Sequence, residues 1–238
     1  ILAAGLPLVS LIHHRPSDKG LTVDGYGQKE TGQTTTEDKA PIRSFTWREA
    51  IKERSFWLLS TGHSLSLLAV SSMLAHLIPH LTNSLNYSLR DASIAFSLMT
   101  GLQLIGIFLG GYLGDKYNKQ KLVVFCMLGH FLGLLAIAFA SNFFWVVIFA
   151  ILHGIAWGIR GPLMVALRAD YFGSKFFGTI MGFSSLIVMI GMTFGPIICG
   201  ILYDYYGNYQ LAFTIMASAS LVGALCFWLC ESPQQSAL

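Results

Sequence analysis

Six apolar segments, at 56–81, 92–113, 122–140, 143–166, 179–203 and 211–229, contain one charged side chain between them, Arg160. Each has the length needed to cross a bilayer, whose hydrocarbon core of about 30 Å takes about 20 helical residues. No water is present there to hydrogen-bond an exposed amide, so the backbone must be helix or closed barrel. Long apolar runs without period-two alternation are helices. The expected fold is all-α, a polytopic membrane protein with a six-helix bundle over 56–230.

Composition agrees with lipid as the solvent. The 238 residues are 54% hydrophobic and 11% charged, more apolar surface than a soluble domain of this size can bury. The formal net charge of +3 sits at the ends of apolar segments, not on a basic patch, which argues against a nucleic-acid partner. Cys126, Cys199, Cys226 and Cys230 lie in apolar stretches without metal-ligand spacing or the loop positions of a disulfide framework. No metal or cofactor is expected. HExxH, GxSxG, a histidine box and a P-loop are all missing from the sequence, so no catalytic residue is expected and a membrane-embedded enzyme is the weaker alternative.

Residues 1–12 are apolar but too short to span, and they end at His13-His14-Arg15-Pro16. They read as the end of a preceding membrane helix, not a signal peptide, because arginine stands where small residues would mark cleavage. The polar stretch 13–55, with Gly20, Gly25, Gly27 and Gly32 and the tract Thr34-Thr35-Thr36, reads as a loop. Its last part, 46–54, alternates in charge and suits a short helix, either amphipathic on the membrane surface or solvated. Residues 231–238 form a tail.

Lysine and arginine set the orientation. The loop before the first span holds eight of them, from Arg15 to Arg54; the following loops hold Arg90 alone, then Lys116, Lys119 and Lys121, then none, then Arg168 and Lys175, then none. This alternation places the long first loop, the Lys116 loop, the Arg168 loop and the C-terminus in the cytoplasm, in a multi-pass protein of the plasma membrane. The third and sixth spans carry few polar groups and are expected to face lipid. The first, second, fourth and fifth carry more and should turn them toward protein or a water-filled cavity.

Arg160 is the sharpest feature, about 12 Å from the cytoplasmic end of its span. His153, Trp157, Arg160 and Met164 share one helix face, and Gly154, Gly158 and Gly161 another. The first face is expected to line a cavity and the second to pack on a neighbour. Pro162 can kink the helix beside the arginine. Arg160 either binds an anion or snorkels to headgroups or a structural partner. No Asp or Glu lies deep in any span to serve as its counter-charge. Ser72, His76, His80 and Asn83 share a face of the first span around Pro79; His76 and His80 suit proton coupling or gating, or packing. Thr100 and Gln103 offer a cavity neutral hydrogen-bonding groups, or glue helices together.

The loop Gly111-Tyr112-Leu113-Gly114-Asp115-Lys116-Tyr117-Asn118-Lys119-Gln120-Lys121 resembles the G-x-x-x-D-(R/K)-x-G-x-(R/K)-(R/K) signature of the major facilitator superfamily. Asn118 stands in for the second glycine, where its tolerance of left-handed angles would keep the turn. Further segments, including His14 to Leu21, His76 to Leu81, Gly158 to Pro162, Arg168 to Gly173 and Gly191 to Pro196, resemble bacterial relatives of monocarboxylate and oxalate:formate carriers. The resemblance implies that the six spans are helices seven to twelve of a twelve-helix transporter and 1–12 the end of helix six. It also implies that Asp115, with Lys116 beside it, latches onto the start of the fifth span near Gly178 and Thr179, where the helix dipole favours a carboxylate. Eukaryotic monocarboxylate carriers have an aspartate and arginine pair in helix eight, which the second span lacks.

The function expected is secondary active transport by alternating access. A small organic anion such as a monocarboxylate would be drawn to Arg160, with His153, Trp157, Gln103 and Thr100 shaping the site. A proton, coupled or gated through His76 or His80, or a counter-anion would accompany it, and an N-terminal six-helix half would complete the pathway. A transport-dead scaffold or receptor of the same fold is the alternative. Orientation is checked with a membrane-impermeant maleimide: Ser141→Cys should label in intact cells and Asn118→Cys only after permeabilisation. The reverse pattern would invert the topology.

Overall fold

The computed structural model describes residues 43–233. The expected helix end at 1–12, most of the polar stretch, the His14–Leu21 resemblance and residues 234–238 lie outside the described residues. A one-turn helix α1 (Trp47–Ala50) precedes α2 (Arg54–Pro79), which continues into a π-helical turn (His80–Ser84). Then come α3 (Leu89–Lys116), α4 (Lys119–Ala138), α5 (Phe143–Phe172), α6 (Phe177–Tyr206) and α7 (Gln210–Trp228). There is no strand among the described residues, and six of the helices are long and apolar enough to cross a membrane.

Most of these helices outrun their apolar segments, because the backbone stays helical past the hydrocarbon boundary, where charged side chains are solvated. Arg168 therefore lies inside α5 and buried, not in the loop where the charge pattern put it; of that pair only Lys175 remains between α5 and α6. Helix ends are capped by short polar side chains. Ser88 accepts from Asp91 N at 3.1 Å, Asn142 from Phe144 N at 3.1 Å and Asn118 from Lys121 N at 3.0 Å. Asn118 has φ −62°, so it serves as an N-cap and not as the left-handed turn residue expected. Gly207, at φ +70°, does adopt left-handed geometry and ends α6.

The bundle is assembled from close pairs: α3 on α5, α2 on α6, and α4 on both α5 and α7. At the first contact a Cβ added to Gly158 would lie 2.1 Å from the Gln103 carbonyl oxygen, and one added to Gly106 2.5 Å from that of Ile155. Gly191 and Gly195 meet the Ser64 and Leu68 carbonyls of α2 as closely, at 2.1 and 2.3 Å. Without Cβ atoms the backbones approach far enough for many weak contacts to add up, which is what drives helix association in lipid. Gly161 does not belong to this face: it is exposed, with nothing near its missing Cβ.

Coverage differs among the helices in a way the polar-group count did not anticipate. Only 22% of the apolar window is buried in α3 and in α6, against 50% in α4 and 44% in α7. The two apolar helices expected outside are thus among the better covered, because α4 is wedged between α5 and α7.

The stretch 46–54 forms one turn, not a continuous helix. Thr46 and Glu49 make a reciprocal capping box, and Arg43 pairs with Glu49 at 2.9 Å. The hydrogen bond from the Thr46 amide, then that from its hydroxyl and the Arg43 contact, hold the Glu49 carboxyl below its ordinary value. The box is therefore fully present above the ordinary carboxylate range and is lost only as pH falls below that range, through the lowered value. Phe45 N donates to Phe172 O at 2.9 Å and Trp47 stacks on Phe183 at 5.1 Å, seating the segment across the ends of α5 and α6.

The glycine contacts predict unequal costs. Gly158→Ala should destabilise the purified protein by about 2 kcal/mol or more through overpacking, while Gly161→Ala should stay within about 0.5 kcal/mol of wild type. Thermal unfolding in detergent measures both; equal melting temperatures would contradict the close α3–α5 crossing.

Candidate functional site

Helix α5 turns Gly154 and Gly158 toward α3, so its other polar positions point elsewhere. His153, Trp157, Arg160 and Met164 share a face that continues to Arg168. The structure buries this face inside the bundle and does not open it to a cavity: His153 is 0% and Arg160 1% exposed, and Trp157 is half-buried. The sequence could not show this, because burial of that face is decided by α4 packing beside it.

The two arginines of α5 have opposite surroundings. Arg168 is held on every side: its Nε donates to Ser184 Oγ at 3.0 Å, its Nη1 to the Met164 carbonyl at 2.9 Å and its Nη2 to His63 Nδ1 at 3.1 Å. Because the guanidinium can only donate, His63 Nδ1 must be the bare nitrogen. Ser184 is joined in turn to Ser60 at 2.9 Å, so this network ties α2, α5 and α6 together. Arg160, by contrast, leaves both Nε and Nη1 buried with no hydrogen-bond partner. Every acidic residue among the described ones lies in a loop or within the first or last turn of a helix.

Beside Arg160, His130 of α4 meets His153 through their Nδ1 atoms at 3.0 Å, with ring centroids 4.5 Å apart. Phe149 stacks on His153 at 5.2 Å. The Nε2 atoms of both histidines are buried and unpartnered.

The other expected residues do not converge on this cluster. Thr100 bonds back to the carbonyls of Phe96 at 3.0 Å and Ser97 at 3.1 Å, the usual self-satisfaction of a membrane threonine. Gln103 is half-buried, with its carbonyl at the Gly158 crossing. His76 donates from Nε2 to Pro196 O at 2.9 Å and meets Tyr209 Oη through Nδ1 at 3.1 Å, fastening α2 to α6 and to the start of α7. His80 is buried against Tyr209 and Phe213, with Nε2 on Ile137 O at 3.2 Å. Asp115 is exposed and makes no hydrogen bond or ion pair among the described residues. It does not meet the start of α6, since α3 packs on α5, α6 on α2, and α3 and α6 share no extended contact. Lys116 folds over the Tyr112 ring and donates to its hydroxyl. Lys119 pairs with Asp170 at 2.7 Å, clamping α4 to α5 at the end carrying the Lys116 loop.

Arg168, His63 and His130 were not foreseen as site residues. Arg168 could have been found by extending the His153–Met164 face one more turn. His130 is the one histidine of an otherwise apolar span, a signal that span-averaged polarity conceals.

Comparison with known proteins accords with this architecture. A sequence profile of the Major Facilitator Superfamily matches residues 59–238. The uncharacterised MFS-type transporter YqjV of Bacillus subtilis is 23% identical over 167 residues, 70% of this chain and 40% of YqjV. Monocarboxylate transporter 3 of Gallus gallus is 33% identical over 142 residues, 57% of this chain and 26% of that protein. The crystal structure of the E. coli fucose:proton symporter superposes with a TM-score of 0.66 at 16% identity, covering 77% of this chain and 44% of the symporter. The chain spans less than half the length of each of these proteins. On the profile match and the shared fold, it is an integral, multi-pass membrane protein that belongs to the major facilitator superfamily.

Proposed function

We propose that the chain forms helices seven to twelve of a twelve-helix secondary transporter and that its solute is a small organic anion drawn to Arg160. The observation that carries this reading is the buried guanidinium with two unpartnered nitrogens and no acidic residue within the spans. An isolated cation in a low-dielectric interior is costly, and a transported carboxylate supplies the missing counter-charge for part of the cycle. The anion would meet Nε and Nη1 of Arg160, with Trp157 on the half-buried side and His153 behind; Gln103, at the α3 crossing on another face of α5, would border the path from α3. Thr100, committed to its own helix, would at most border the path.

An N-terminal bundle would pack on the sparsely covered α3 and α6, where Leu104, Phe108, Ile190 and Ile201 stand exposed. Rocking of the two bundles would open the occluded arginine to alternate sides. The exposed Asp115 and Lys116 would contact that second bundle at the cytoplasmic end. Among the relatives, monocarboxylate transporter 3 carries an anion in its name, as does sugar phosphate exchanger 3 of Xenopus laevis. The tetracycline resistance protein of Pasteurella multocida shows by its name that family membership alone does not set the solute.

Two predictions separate the arginines. In proteoliposomes of the full-length carrier, labelled acetate, pyruvate or oxalate should accumulate saturably, and Arg160→Gln should reduce uptake at least tenfold while melting no lower than wild type, because it removes an uncompensated buried charge. Uptake of none of them, or uptake indifferent to Arg160→Gln, would overturn the anion reading. Arg168→Gln should cost about 2 kcal/mol or more of stability by breaking a satisfied buried network, read from thermal unfolding in detergent.

A further inference from the structure

We infer that the facing imidazoles of His130 and His153 form a site for one coupling proton, whose occupancy rises and falls with that of the anion beside Arg160. This rests on the anion reading above and adds the coupling ion and its place. Both rings are fully buried, and their Nδ1 atoms are 3.0 Å apart. A hydrogen bond between two ring nitrogens needs one donor and one acceptor, so in the neutral pair one ring carries its hydrogen on Nδ1 and the other on Nε2. The first ring then has a bare Nε2, buried and without a partner.

A proton arriving from the aqueous side binds that bare Nε2. The ring becomes an imidazolium, and its Nδ1–H still donates to the bare Nδ1 opposite, now as a stronger, charge-assisted bond. Release returns the proton from the same Nε2. A second proton would place two N–H groups face to face at this distance, so the pair holds one. Phe149, stacked on His153, offers the π face that favours a cation.

The charged surroundings make this site sensitive to the anion. Among the described residues, the spans packed on α4 and α5 bring no carboxylate to the pair. α3 and α7 contribute no charged group within the membrane, only Tyr112 and Cys226 near their ends; α6 contributes Cys199, with Tyr203, Asp204, Tyr205 and Tyr206 in its last turn; α2 contributes His63, committed to Arg168, and the tethered His76 and His80. α4 itself adds Cys126. Arg160 lies two turns along α5 from His153, about 10 Å, and its charge opposes a second positive charge at the pair. An anion at Arg160 cancels that opposition. At such a separation the effect is on the order of tenfold in proton affinity, and by reciprocity the proton strengthens anion binding by the same factor.

The test is to add acetate, pyruvate or oxalate to the purified full-length carrier in weakly buffered detergent solution, measuring bound label and proton uptake together. Wild type should take up as much as one proton per anion bound, its affinity should weaken on the order of tenfold as pH rises through the pair's titration, and its infrared difference spectrum should gain imidazolium bands. His130→Gln and His153→Gln should show neither proton uptake nor pH-dependent affinity. Anion binding without proton uptake in wild type, or uptake unchanged in both variants, overturns the proton site and leaves the anion site standing. No binding of any of these anions overturns both. Should one variant fail to fold, the other variant and the wild-type infrared bands still decide.

Discussion

Backbone contact at glycine is the interaction on which the rest of this bundle depends. In lipid, neighbouring helices gain nothing from leaving water, so association relies on dense packing. The Gly106 and Gly158 crossing draws α3 onto α5, and Gly191 and Gly195 draw α6 onto α2. Fixing the glycine face of α5 against α3 also fixes where its other faces go. His153, Arg160 and Arg168 then point into the bundle, against α4 on one side and the Ser184 network on the other. Local sequence spacing thus becomes site geometry through a single helix rotation.

Within that interior two cations of the same type play different parts. Arg168 has its guanidinium satisfied by three elements and behaves as a structural bolt near the end of α5. Arg160, two turns deeper, is left with unpartnered nitrogens, as a group is when its partner comes and goes. The unpartnered ring nitrogens of His130 and His153 lie on the same side of the problem. Burying such groups without partners is costly, and under the proposal above a bound anion and proton would relieve that cost.

Much of the fold was legible in the sequence, because the bilayer imposes strict rules. Six long apolar runs could only be helices, and the Gly154 and Gly158 spacing identified a packing face correctly. Residues whose role depends on a neighbour were less readable. Gly161 shares the spacing of its fellow glycines but has no helix opposite it. Asp115 was expected to reach α6, yet the pairing of α3 with α5 and of α6 with α2 separates them. His130 is hidden in an apolar span, and the charge pattern assigns Arg168 to a loop because hydropathy marks the edge of the membrane and not the end of the helix. Arg160 stood out from sequence alone as the single charge within the apolar segments, but its burial and lack of partners required the packing of α4 and α5.

Arg160 is proposed as a cation that waits for an anion, and ligand-dependent thermal stability of the purified full-length protein tests that most directly. A ligand that binds only the folded state raises the melting temperature progressively with its concentration. Acetate, pyruvate or oxalate should raise the melting temperature of wild type, at constant ionic strength, and should leave that of Arg160→Gln unmoved. A wild-type protein indifferent to all three, or an equal rise in the variant, would contradict the claim that the guanidinium holds the solute.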